Sequence, residues 1–517
     1  MAVAATYCRG QVGLAAPLVQ VEVNLGAGLP VFTIVGLPAT AVKESKERVR
    51  AALTNSGFEF PAGRITVSLA PADLPKEGGR FDLPIALGIL LASRQLRGVP
   101  GGGPLPCEFY GELSLSGELL PVRGLTLAAA HAAQEGHDII VPLANVGETR
   151  LACHAHTLGA RSLLEVCAHL RGEARPPQRE SLPEPRRCGT TAPPDLAEVR
   201  GQQLPKRALI IAAAGAHSLL LCGPPGSGKT MLAERLPPLL PALSPAEALE
   251  VASIASVSLQ DLNTHGFGRR PFRAPHHTAS AIAMIGGGPR ARPGEVSLAH
   301  RGVLFLDELP QFDRRVLESL REPLENRTVV VSRARIQAQY PAAFQLIAAM
   351  NPCPCGYLGD SCGRCRCTPA QVAAYRARLS GPLLDRIDLL VEAPRVPAAE
   401  LAAQPVAAAP APVLTTAAAA RTVARARERQ LQRRGGLNAE LSSAQLQAVA
   451  QPSAGAAALL EKVFEHLALT ARGYQRVLRV ALTIADLEDS DVIAPEHIAE
   501  AVQFRRLAAS FRSGPAP

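Results

Sequence analysis

Gly223-Pro-Pro-Gly-Ser-Gly-Lys229-Thr230 matches the full Walker A pattern of a phosphate-binding loop. The apolar run at 217–222 predicts a buried strand before the loop, and 230–236 predicts the start of a helix after it. This context argues against the alternative, a chance glycine-rich turn. In such a loop, backbone N–H groups wrap the β-phosphate, the lysine lies between the β- and γ-phosphates, and the threonine hydroxyl binds Mg²⁺. The residues predicted to bind ATP are Gly223, Pro224, Pro225, Gly226, Ser227, Gly228, Lys229 and Thr230.

A second motif, Val303-Leu-Phe-Leu-Asp307-Glu308, is typical of the Walker B strand that accompanies such a loop. Its four apolar residues predict a buried parallel strand, whose end presents two carboxylates. Asp307 is expected to hold Mg²⁺ through water, together with Thr230, and Glu308 is expected to polarise the attacking water as a general base. The alternative is a buried strand that merely ends in an acidic cap, and the Walker A motif weakens it.

Three further polar residues fit the catalytic set of an AAA+ ATPase. Asn351 ends another apolar run and fits sensor 1, beside the γ-phosphate. Arg386 is a candidate arginine finger for a neighbouring subunit, and Arg472 is a candidate sensor 2 that reaches back from the C-terminal part. Each of the three could instead be a surface or capping residue. The predicted catalytic residues are Lys229, Asp307, Glu308, Asn351, Arg386 and Arg472.

Longer stretches carry a specific family resemblance. Two of them are Pro271-Phe-Arg-Ala-Pro-His-His-Thr278 and Asn351-Pro-Cys-Pro-Cys-Gly356, and the others lie at 35–38, 41–50, 74–86, 293–300 and 379–388. On these stretches the sequence resembles, over nearly its whole length, the magnesium-chelatase-like AAA+ ATPases called ComM or YifB. The resemblance implies a homo-hexameric motor that promotes DNA branch migration in homologous recombination, best known from natural transformation. It also implies a Lon-protease-like N-terminal domain, of the ribosomal S5 domain 2-like fold, and a magnesium-chelatase-type ATPase core.

Two breaks in composition divide the chain into three parts. Residues 171–194 are rich in Pro, Arg and Glu, and 398–412 form an Ala/Pro low-complexity run, so both are predicted to be linkers. Strand and helix patterns alternate at 1–170, whereas 413–512 has helical periodicity. We therefore predict an α/β multidomain protein with an AAA+ P-loop ATPase core at 195–397 and a small C-terminal helical domain that carries sensor 2.

Two basic segments flank the Walker B motif. The first is an insert between the two Walker motifs, and the second, at 327–335, alternates like a hairpin strand before Asn351. The resemblance suggests that two such inserts line the pore of a hexamer, where they would track a phosphate backbone without reading its sequence. The alternative is solvated surface charge. The residues predicted to contact single-stranded and branched DNA are Arg269, Arg270, Arg273, Arg333 and Arg335.

Two positions in the first part disfavour a protease. Lon-type proteases use a serine–lysine dyad, and the resemblance places the serine position at Arg80 and the lysine position at Thr126. Without a nucleophile and its base there is no acyl transfer. Residues 1–170 are therefore expected to serve in binding or assembly, with Ser68 or Ser114 as an unrecognised nucleophile left as an alternative.

Five of the 11 cysteines crowd between Cys353 and Cys367, a pattern typical of metal binding in a reducing compartment. Cys353 with Cys355, and Cys365 with Cys367, supply four thiolates that can surround one structural Zn²⁺. Cys362 could replace Cys367, because it forms a Cys-x₂-Cys pair with Cys365. The alternatives are unligated reduced cysteines and an iron–sulfur cluster, whose usual spacings are not matched.

Charge and hydropathy indicate where the protein is located more clearly than what it does. The 517 residues carry 54 basic and 45 acidic side chains, and this net charge of +9 permits a nucleic-acid partner without demanding one. The first residues show no signal-peptide pattern, and no apolar run reaches the ~20 residues that span a bilayer. A cytoplasmic protein without a membrane partner is expected.

Several functions are consistent with some of these observations. A DNA motor is favoured. A magnesium-chelatase-type ATPase subunit is disfavoured by the Lon-like front half and the cysteine cluster, and an ATP-dependent protease by Arg80 and Thr126. A chaperone-like AAA+ remodeller without a DNA substrate also stays open.

Overall fold

The computed structural model describes residues 2–74, 76, 78–96, 107–152, 157–173, 194–258, 267–288, 291–333, 336–359, 363–397, 414–466 and 470–512. Most of the predicted linker at 171–194 and all of the one at 398–412 lie outside the described residues, as do Arg335 and Cys362. For Arg333 the backbone is described and the side chain is not.

The first group of elements forms a mixed seven-stranded sheet with strand order β3-β4-β2-β1-β5-β8-β9. The strands of this part are β1 (Ala2–Arg9), β2 (Leu18–Gly26), β3 (Val31–Val35), β4 (Arg64–Ala70), β5 (Cys107–Phe109), β6 (Glu112–Leu113), β7 (Leu119–Leu120), β8 (Asp138–Pro142) and β9 (Thr157–Ala160). The helices are α1 (Thr40–Asn55), α2 (Asp82–Ala92), α3 (Leu125–Glu135), α4 (Val146–Arg150) and α5 (Leu163–Leu170). They confirm the alternation of strands and helices that the sequence predicts here.

One face of this sheet is covered by a helix that is itself buried on nearly every side. In β2 the side chains of Val19, Val21 and Val23 are buried while their neighbours are partly exposed, as expected for a strand with one covered face. Helix α2 packs on this face, and Gly88 permits its close approach, because a Cβ there would lie 2.5 Å from the side chain of Val23. The apolar alternation therefore decides which face of the sheet holds the core.

The second group of elements forms a five-stranded parallel sheet with strand order β11-β14-β17-β10-β18. The strands of this part are β10 (Leu219–Cys222), β11 (Phe272–Arg273), β12 (Gly286–Gly287), β13 (Arg292–Pro293), β14 (Val303–Leu306), β15 (Thr328–Arg333), β16 (Ile336–Pro341), β17 (Gln345–Met350) and β18 (Leu389–Glu392). The helices are α6 (Gln203–Gly215), α7 (Lys229–Ala233), α8 (Pro245–Ser258), α9 (Ala281–Ile285), α10 (Glu295–Leu298), α11 (Arg314–Ser319), α12 (Arg321–Asn326), α13 (Pro369–Arg376) and α14 (Gly381–Leu384).

The predicted strand–loop–helix of the nucleotide site is confirmed with shorter elements. Strand β10 begins two residues later than the apolar run at 217–222, and the side chain of His217 before it takes part in a buried polar network described below. Helix α7 ends at Ala233 rather than at 236, and a short 3₁₀ turn at Pro237–Leu239 follows it.

Strand order brings the predicted catalytic residues to one edge of this sheet. Gly223, Asp307 and Asn351 each come directly after a strand, namely β10, β14 and β17. The strands are parallel and β17 lies between the other two, so their carboxyl ends meet at the same edge. The residues of β10 and β14 are all buried, so the positions that follow them are held by packing on both faces.

The C-terminal helices share a hydrophobic core with this sheet. They are α15 (Thr416–Arg434), α16 (Ser443–Val449), α17 (Ala454–His466), α18 (Ala471–Leu487) and α19 (Pro495–Arg512). Leu209 and Leu221 of the ATPase core lie in the same apolar cluster as Val423, Ile484 and Phe504 of these helices. Residues 414–512 are therefore packed against the ATPase core as part of one interior.

A buried polar network joins α18 to the amino-terminal edge of the sheet. His217 contacts Asp388 at 3.2 Å and Thr483 at 2.8 Å, and Arg476 contacts Asp388 at 3.2 Å. Burial alone would raise the pKa of Asp388, but the hydrogen bond from His217 and the charge of Arg476 hold it below the usual range. Helix α18 is therefore fixed to the edge opposite the phosphate-binding loop.

Within the described residues, the contacts between the N-terminal unit and the ATPase core include a hydrogen-bonded one and an apolar one. Thr126 donates to Glu148 at 3.0 Å, and Ser256 of α8 donates to the same carboxylate at 3.2 Å. A Cβ on Gly13 would lie 3.0 Å from the Cβ of Ala338, which belongs to the hairpin of β15 and β16. The N-terminal unit thus packs on α8 and on the middle of this basic hairpin, where Ala338 pairs with Val331.

A mixed α/β multidomain protein with a parallel-sheet core and a helical C-terminal region is confirmed. The Lon-like, ribosomal S5 domain 2-like assignment of the N-terminal unit and the domain boundaries stay predictions. In the described part of the chain, every helix is too short or too polar to cross a bilayer.

Candidate functional site

The phosphate-binding loop depends on glycine at three positions. Gly226 and Gly228 have φ of +76° and +86°, a left-handed conformation that costs glycine little. A Cβ on Gly223 would lie 2.1 Å from the carbonyl oxygen of Ala393, which no other residue could accommodate. Glycine at these positions therefore allows the tight turn after β10 that a phosphate-binding loop requires.

Lys229 is held at the centre of the site. Its Nζ donates to the carbonyl oxygens of Gly223 and Pro224, at 2.8 and 3.0 Å, and to Oδ1 of Asn351 at 3.2 Å. Burial lowers the pKa of its ammonium group from the usual value. Phosphate oxygens are stronger acceptors than these carbonyls for a buried cation, so the lysine is ready to bind them.

The two residues predicted to hold Mg²⁺ contact each other. Thr230 Oγ1 donates to Asp307 Oδ2 at 3.0 Å, and the backbone N–H of Glu308 donates to Asp307 Oδ1 at 2.8 Å. Hydroxyl, carboxylate and water oxygens are the donors that Mg²⁺ prefers, so this pair fits the ion. The structure thus brings together Lys229, Thr230, Asp307 and Asn351 around one point.

Glu308, the predicted general base, has a neighbour that the sequence interpretation missed. Nδ1 of His277 lies 3.6 Å from Oε2 of Glu308, whose side chain is 52% exposed. The two residues follow neighbouring strands, β11 and β14. His277 and Glu308 are far apart in sequence, so no local pattern predicts this contact.

A second missed residue, Gln202, links the loop to a cavity beside it. Gln202 Nε2 donates to the carbonyl oxygens of Ser227 and Pro394, at 3.0 and 2.6 Å. The cavity has a volume of about 380 Å³ and is lined by 201–203 and 394–397. It adjoins the phosphate loop and is large enough for a purine base, so it is the candidate adenine site.

Orphaned polar atoms in the same place fit a bound nucleotide. Among the described residues, Oγ of Ser227 and Oε1 of Gln202 are buried without a hydrogen-bond partner. Buried polar atoms normally have partners, so unpaired ones mark a place where a ligand or water supplies them. With the loop geometry, these atoms indicate that the residues present suit a nucleoside triphosphate.

Arg386 lies on the opposite side of the sheet from its own phosphate loop. It precedes β18, whose first residue, Leu389, pairs with Leu219 at the amino-terminal end of β10. Its guanidinium donates to Pro382 O at 2.8 Å and is paired with Glu325, and the side chain is 8% exposed. An arginine finger at this position therefore cannot act on the nucleotide of its own chain.

The sensor 2 role of Arg472 stays a prediction. Arg472 is exposed near the start of α18. One turn further along the helix, Arg476 contacts Asp388 at the amino-terminal edge of the sheet, away from the phosphate loop. Arg472 is therefore on the same side of the core as Arg386.

Two of the arginines predicted to bind DNA have structural partners. Arg270 donates to the carbonyl oxygens of Pro241 and Arg301, both at 2.7 Å, and Arg273 pairs with Glu295 at 2.7 and 2.9 Å. These guanidinium groups hold the insert to the core, and a DNA contact stays a prediction for both residues. Arg269 is exposed, and Arg333 closes the hairpin as the partner of Ile336.

The cysteine cluster has the geometry of a four-thiolate site. The Sγ atoms of Cys353, Cys355, Cys365 and Cys367 all lie within 4.8 Å of one another, and three of the separations are 3.3, 3.6 and 3.8 Å. Tetrahedral Zn²⁺ with Zn–S bonds of about 2.3 Å sets sulfur atoms about 3.8 Å apart. Backbone N–H groups of Tyr357 and Arg366 lower the pKa of Cys355 to about 6, which favours a thiolate. These four residues fit Zn²⁺.

The cysteine cluster also touches the nucleotide loop. Cys353 lies two residues after Asn351, and Gly356 packs against Pro225 so closely that a Cβ on it would lie 2.7 Å from the proline ring. A metal that fixes the four cysteines would therefore also fix one wall of the loop.

Purified protein should carry about one Zn²⁺ per chain, the number that one four-thiolate site binds. Replacing Cys353 and Cys355 together by Ser should remove the metal and lower the melting temperature, because sulfur ligands and the packing beside Pro225 are lost. Metal content is measured by elemental analysis and stability by calorimetry.

Cys362→Ser is the matched control, and it should retain the metal. If it loses the metal while Cys367→Ser keeps it, the fourth ligand is Cys362. Metal-free wild-type protein of normal stability would show that the cluster is not a zinc site.

The two positions that the family resemblance assigns to a protease dyad, Arg80 and Thr126, both make other contacts. Arg80 donates to the carbonyl oxygen of Arg123 at 2.7 Å and to Gln11 at 3.2 Å. Thr126 is buried and donates to Glu148. An arginine and a threonine in these contacts offer neither a nucleophile nor its base.

Three family models match this chain. The model described as "Magnesium chelatase, subunit ChlI" matches 195–401, "Subunit ChlI of Mg-chelatase" matches 21–145, and "Magnesium chelatase, subunit ChlI C-terminal" matches 414–505. Because the second match carries a chelatase description, the front half no longer argues against a chelatase-type function.

Similarity to curated proteins extends over almost the full length. The chain is 45% identical over 509 residues to "Competence protein ComM" of Haemophilus influenzae, with 98% of each chain covered. It is 46% identical over 510 residues to "Uncharacterized protein YifB" of Escherichia coli K12, again with 98% of each covered. Identity to the "Magnesium-chelatase 67 kDa subunit" of Heliobacterium mobile is 30% over 198 residues, which is 33% of this chain and 30% of that one. The chain belongs to the ComM/YifB family of magnesium-chelatase-like AAA+ proteins.

Proposed function

We propose that this protein is an ATP-dependent DNA motor, a homo-hexamer that promotes branch migration in homologous recombination during natural transformation. The observation that carries the proposal is the nucleotide site, in which Lys229 contacts Asn351 and Thr230 contacts Asp307. The family implies ATPase activity, and similarity over 98% of the chain to a protein named for competence supports a DNA substrate.

Each residue of the site has its own task in ATP hydrolysis. Lys229 neutralises phosphate charge, Asn351 orients the attacking water, and Glu308 accepts a proton from that water. Mg²⁺, held by Thr230 and through water by Asp307, would neutralise charge on the β- and γ-phosphates. These side chains come from three neighbouring strands, so small shifts between strands change their alignment.

The position of the two arginines supports a ring assembly. Arg386 and Arg472 both lie away from the phosphate loop of their own chain, yet phosphoryl transfer in this class gains most from an arginine near the γ-phosphate. In a closed ring, the edge that carries them can face the loop of the next subunit. We therefore assign both residues to the nucleotide of a neighbouring chain.

The basic hairpin supports coupling between DNA and hydrolysis. Strands β15 and β16 lie directly before β17, the strand that ends at Asn351. Val329, Val331 and Tyr340 are buried and anchor the hairpin in the core. A force on the hairpin is thus transmitted to β17 and to Asn351 at its end, the residue proposed to orient the attacking water.

The remaining assignments follow from the same proposal. Residues 1–170 serve as a Lon-protease-like domain without proteolysis, and the Cys-rich insert at 353–367 holds a structural Zn²⁺. Arg269, Arg333 and Arg335 contact DNA phosphates, whereas Arg270 and Arg273 hold the insert in place.

Replacing Arg333 and Arg335 together by Ala should weaken DNA binding and abolish DNA-stimulated ATPase and branch migration, while basal hydrolysis is kept. Phosphate contacts release counterions, so the magnitude of the slope of log affinity against log salt should fall, for two lost contacts, by about 1.8 on duplex DNA and by about 1.4 on single-stranded DNA. Binding is measured by fluorescence anisotropy at several salt concentrations, with single-stranded, duplex and branched DNA.

The matched control replaces Arg421 and Arg425, two exposed arginines of α15, by Ala, which removes the same charge elsewhere. It should behave like the wild type. If the hairpin variant and this control migrate branches equally well, the hairpin does not contact DNA. If the wild-type hexamer hydrolyses ATP and moves no branched substrate, the motor proposal fails.

A second candidate function is a magnesium-chelatase-type ATPase subunit. The chelatase descriptions of the matching family models and the 30% identity to a 67 kDa chelatase subunit favour it. That similarity covers only 33% of this chain. ATPase stimulation by chelatase partners and porphyrin, in place of DNA, would decide for this alternative.

A further inference from the structure

The helix after the cysteine cluster brings a buried tyrosine to the end of β17. We propose that Tyr375 of α13 is a positioning residue for ATP hydrolysis, which holds the backbone of Asn351 so that its side chain faces the attacking water. The four cysteines close the loop that returns Tyr375 to this place. The inference rests on the ATP hydrolysis proposed above and adds a residue that lies outside both nucleotide motifs.

Asn351 lies just beyond the hydrogen-bond ladder of its sheet. The last pair of β17 with β10 is Met350 with Cys222, and the carbonyl oxygen of Met350 accepts from the N–H of Gly223 at 3.1 Å. The ladder thus ends one residue before Asn351. Catalysis is sensitive to displacements of about 1 Å, so this residue needs a further contact to fix it.

Tyr375 supplies a contact at this point. Its hydroxyl oxygen accepts a hydrogen bond from the backbone N–H of Asn351. Burial raises the pKa of Tyr375 to about 12, whereas this hydrogen bond acts in the opposite direction. The hydroxyl group therefore stays protonated at neutral pH and is a neutral acceptor for the N–H of Asn351.

The position of Tyr375 follows from the apolar pattern of its segment. Val372, Tyr375 and Leu379 are spaced by three and four residues, as on one face of a helix, and all three are buried. Tyr375 and Leu379 lie in the same apolar cluster as Leu346 and Met350 of β17. Packing of the ring therefore fixes where its hydroxyl group lies.

The cysteine cluster closes the loop between Asn351 and α13. Cys353 lies two residues after Asn351, and Cys367 directly precedes Thr368, the N-cap of α13. The Sγ atoms of Cys353 and Cys367 lie within 4.8 Å of each other. Thr368 and Gln371 form a capping box, so the helix begins as soon as the cluster ends.

The same loop also contacts the side chain of Asn351. A Cβ on Gly356 would lie 3.7 Å from Cγ of Asn351 and 2.7 Å from the ring of Pro225. Lys229 Nζ contacts Oδ1 of Asn351 at 3.2 Å. Asn351 is thus held through its backbone by Tyr375 and through its side chain by Gly356 and Lys229.

The experiment measures kcat and KM for ATP, the binding of a non-hydrolysable ATP analogue and the metal content of full-length Tyr375→Phe. Phenylalanine keeps the packing of the ring and removes the acceptor for the N–H of Asn351. We expect kcat to fall roughly tenfold, the effect of one hydrogen bond, while analogue binding and metal content keep their wild-type values. In protein that already carries Asn351→Ala, Tyr375→Phe should have no further effect on kcat, because it acts through the missing side chain.

Two other tyrosines serve as controls. Tyr110→Phe removes a buried hydroxyl group that donates to Glu108 in the N-terminal unit, and Tyr357→Phe changes the tyrosine of the cysteine loop whose ring packs against Arg364. Tyr110→Phe should lower the melting temperature, because Glu108 loses a donor. Both variants should keep the wild-type kcat.

Three results would overturn the inference. A kcat of Tyr375→Phe equal to that of Tyr357→Phe would show that Tyr375 only fills the core. A loss of the same size with and without Asn351→Ala would show that it acts on another group, and a loss that comes with missing metal would show that it supports the cluster. If the wild type hydrolyses ATP and moves no branched DNA, the motor function fails, and the tyrosine variants still decide the role of Tyr375.

Discussion

Glu308→Gln protein should bind ATP as tightly as the wild type and hydrolyse it about 10²–10⁴-fold more slowly, the usual contribution of a general base. Glutamine has nearly the same shape, so it preserves the backbone contact to Asp307 and the loop beside it. It cannot accept a proton from water, so the chemical step loses its base. Steady-state phosphate release and binding of a fluorescent ATP analogue measure the two effects.

The Glu308→Gln variant is compared with a matched control and with a variant that loses the loop lysine. Glu322→Gln changes an exposed glutamate of α12 in the same way and should have no effect. Lys229→Ala should instead weaken binding, because the cation that contacts Asn351 and two loop carbonyls is removed. Normal turnover in Glu308→Gln would mean that another group activates the water.

Arg386→Ala should lower ATP turnover about 10³–10⁵-fold, the range reported for loss of an arginine finger. The reason is charge, because the ATP bound to the neighbouring chain loses the guanidinium that stabilises negative charge on its γ-phosphate in the transition state of hydrolysis. The wild type should gain activity per subunit as protein concentration rises, because a separate chain has an incomplete site. Turnover is measured across a concentration series and compared with the mass of the assembly.

Mixing Arg386→Ala with Lys229→Ala protein should restore part of the activity. In a randomly mixed closed ring, about a quarter of the interfaces pair an intact loop with an intact finger. Glu325→Ala is the matched control, because it removes the ion pair within the chain and leaves the arginine. If Glu325→Ala is as inactive as Arg386→Ala, or if mixed rings show no rescue, Arg386 acts through its own chain.

The nucleotide site could be predicted from the sequence because its residues directly follow buried strands. Apolar runs ending at Gly223, Asp307 and Asn351 fix both the strand and the edge where the side chain appears. The proximity of the four cysteines Cys353, Cys355, Cys365 and Cys367 could also be predicted, since their spacing within a short segment limits how far apart they can lie.

Contacts between distant segments could not be predicted in this way. Arg270 and Arg273 look like solvent-facing charge in a basic insert, and only tertiary packing shows that they hold carbonyl oxygens and Glu295. Gln202 and His277 meet the site from segments without a nucleotide motif. The side of the core on which Arg472 lies depends on how α18 packs, which its amphipathic pattern does not determine.

The ATPase sheet and the C-terminal helices share one hydrophobic interior, so we expect them to fold together. The Ala/Pro run at 398–412 is a break in composition, yet Leu221 and Ile484 on either side of it lie in one apolar cluster. Helix α18 further satisfies the buried polar groups of His217 and Asp388, which would otherwise lose their partners. The segments on either side of the run are therefore a single cooperative unit, and the helices complete the interior that the nucleotide strands need before any ring can assemble.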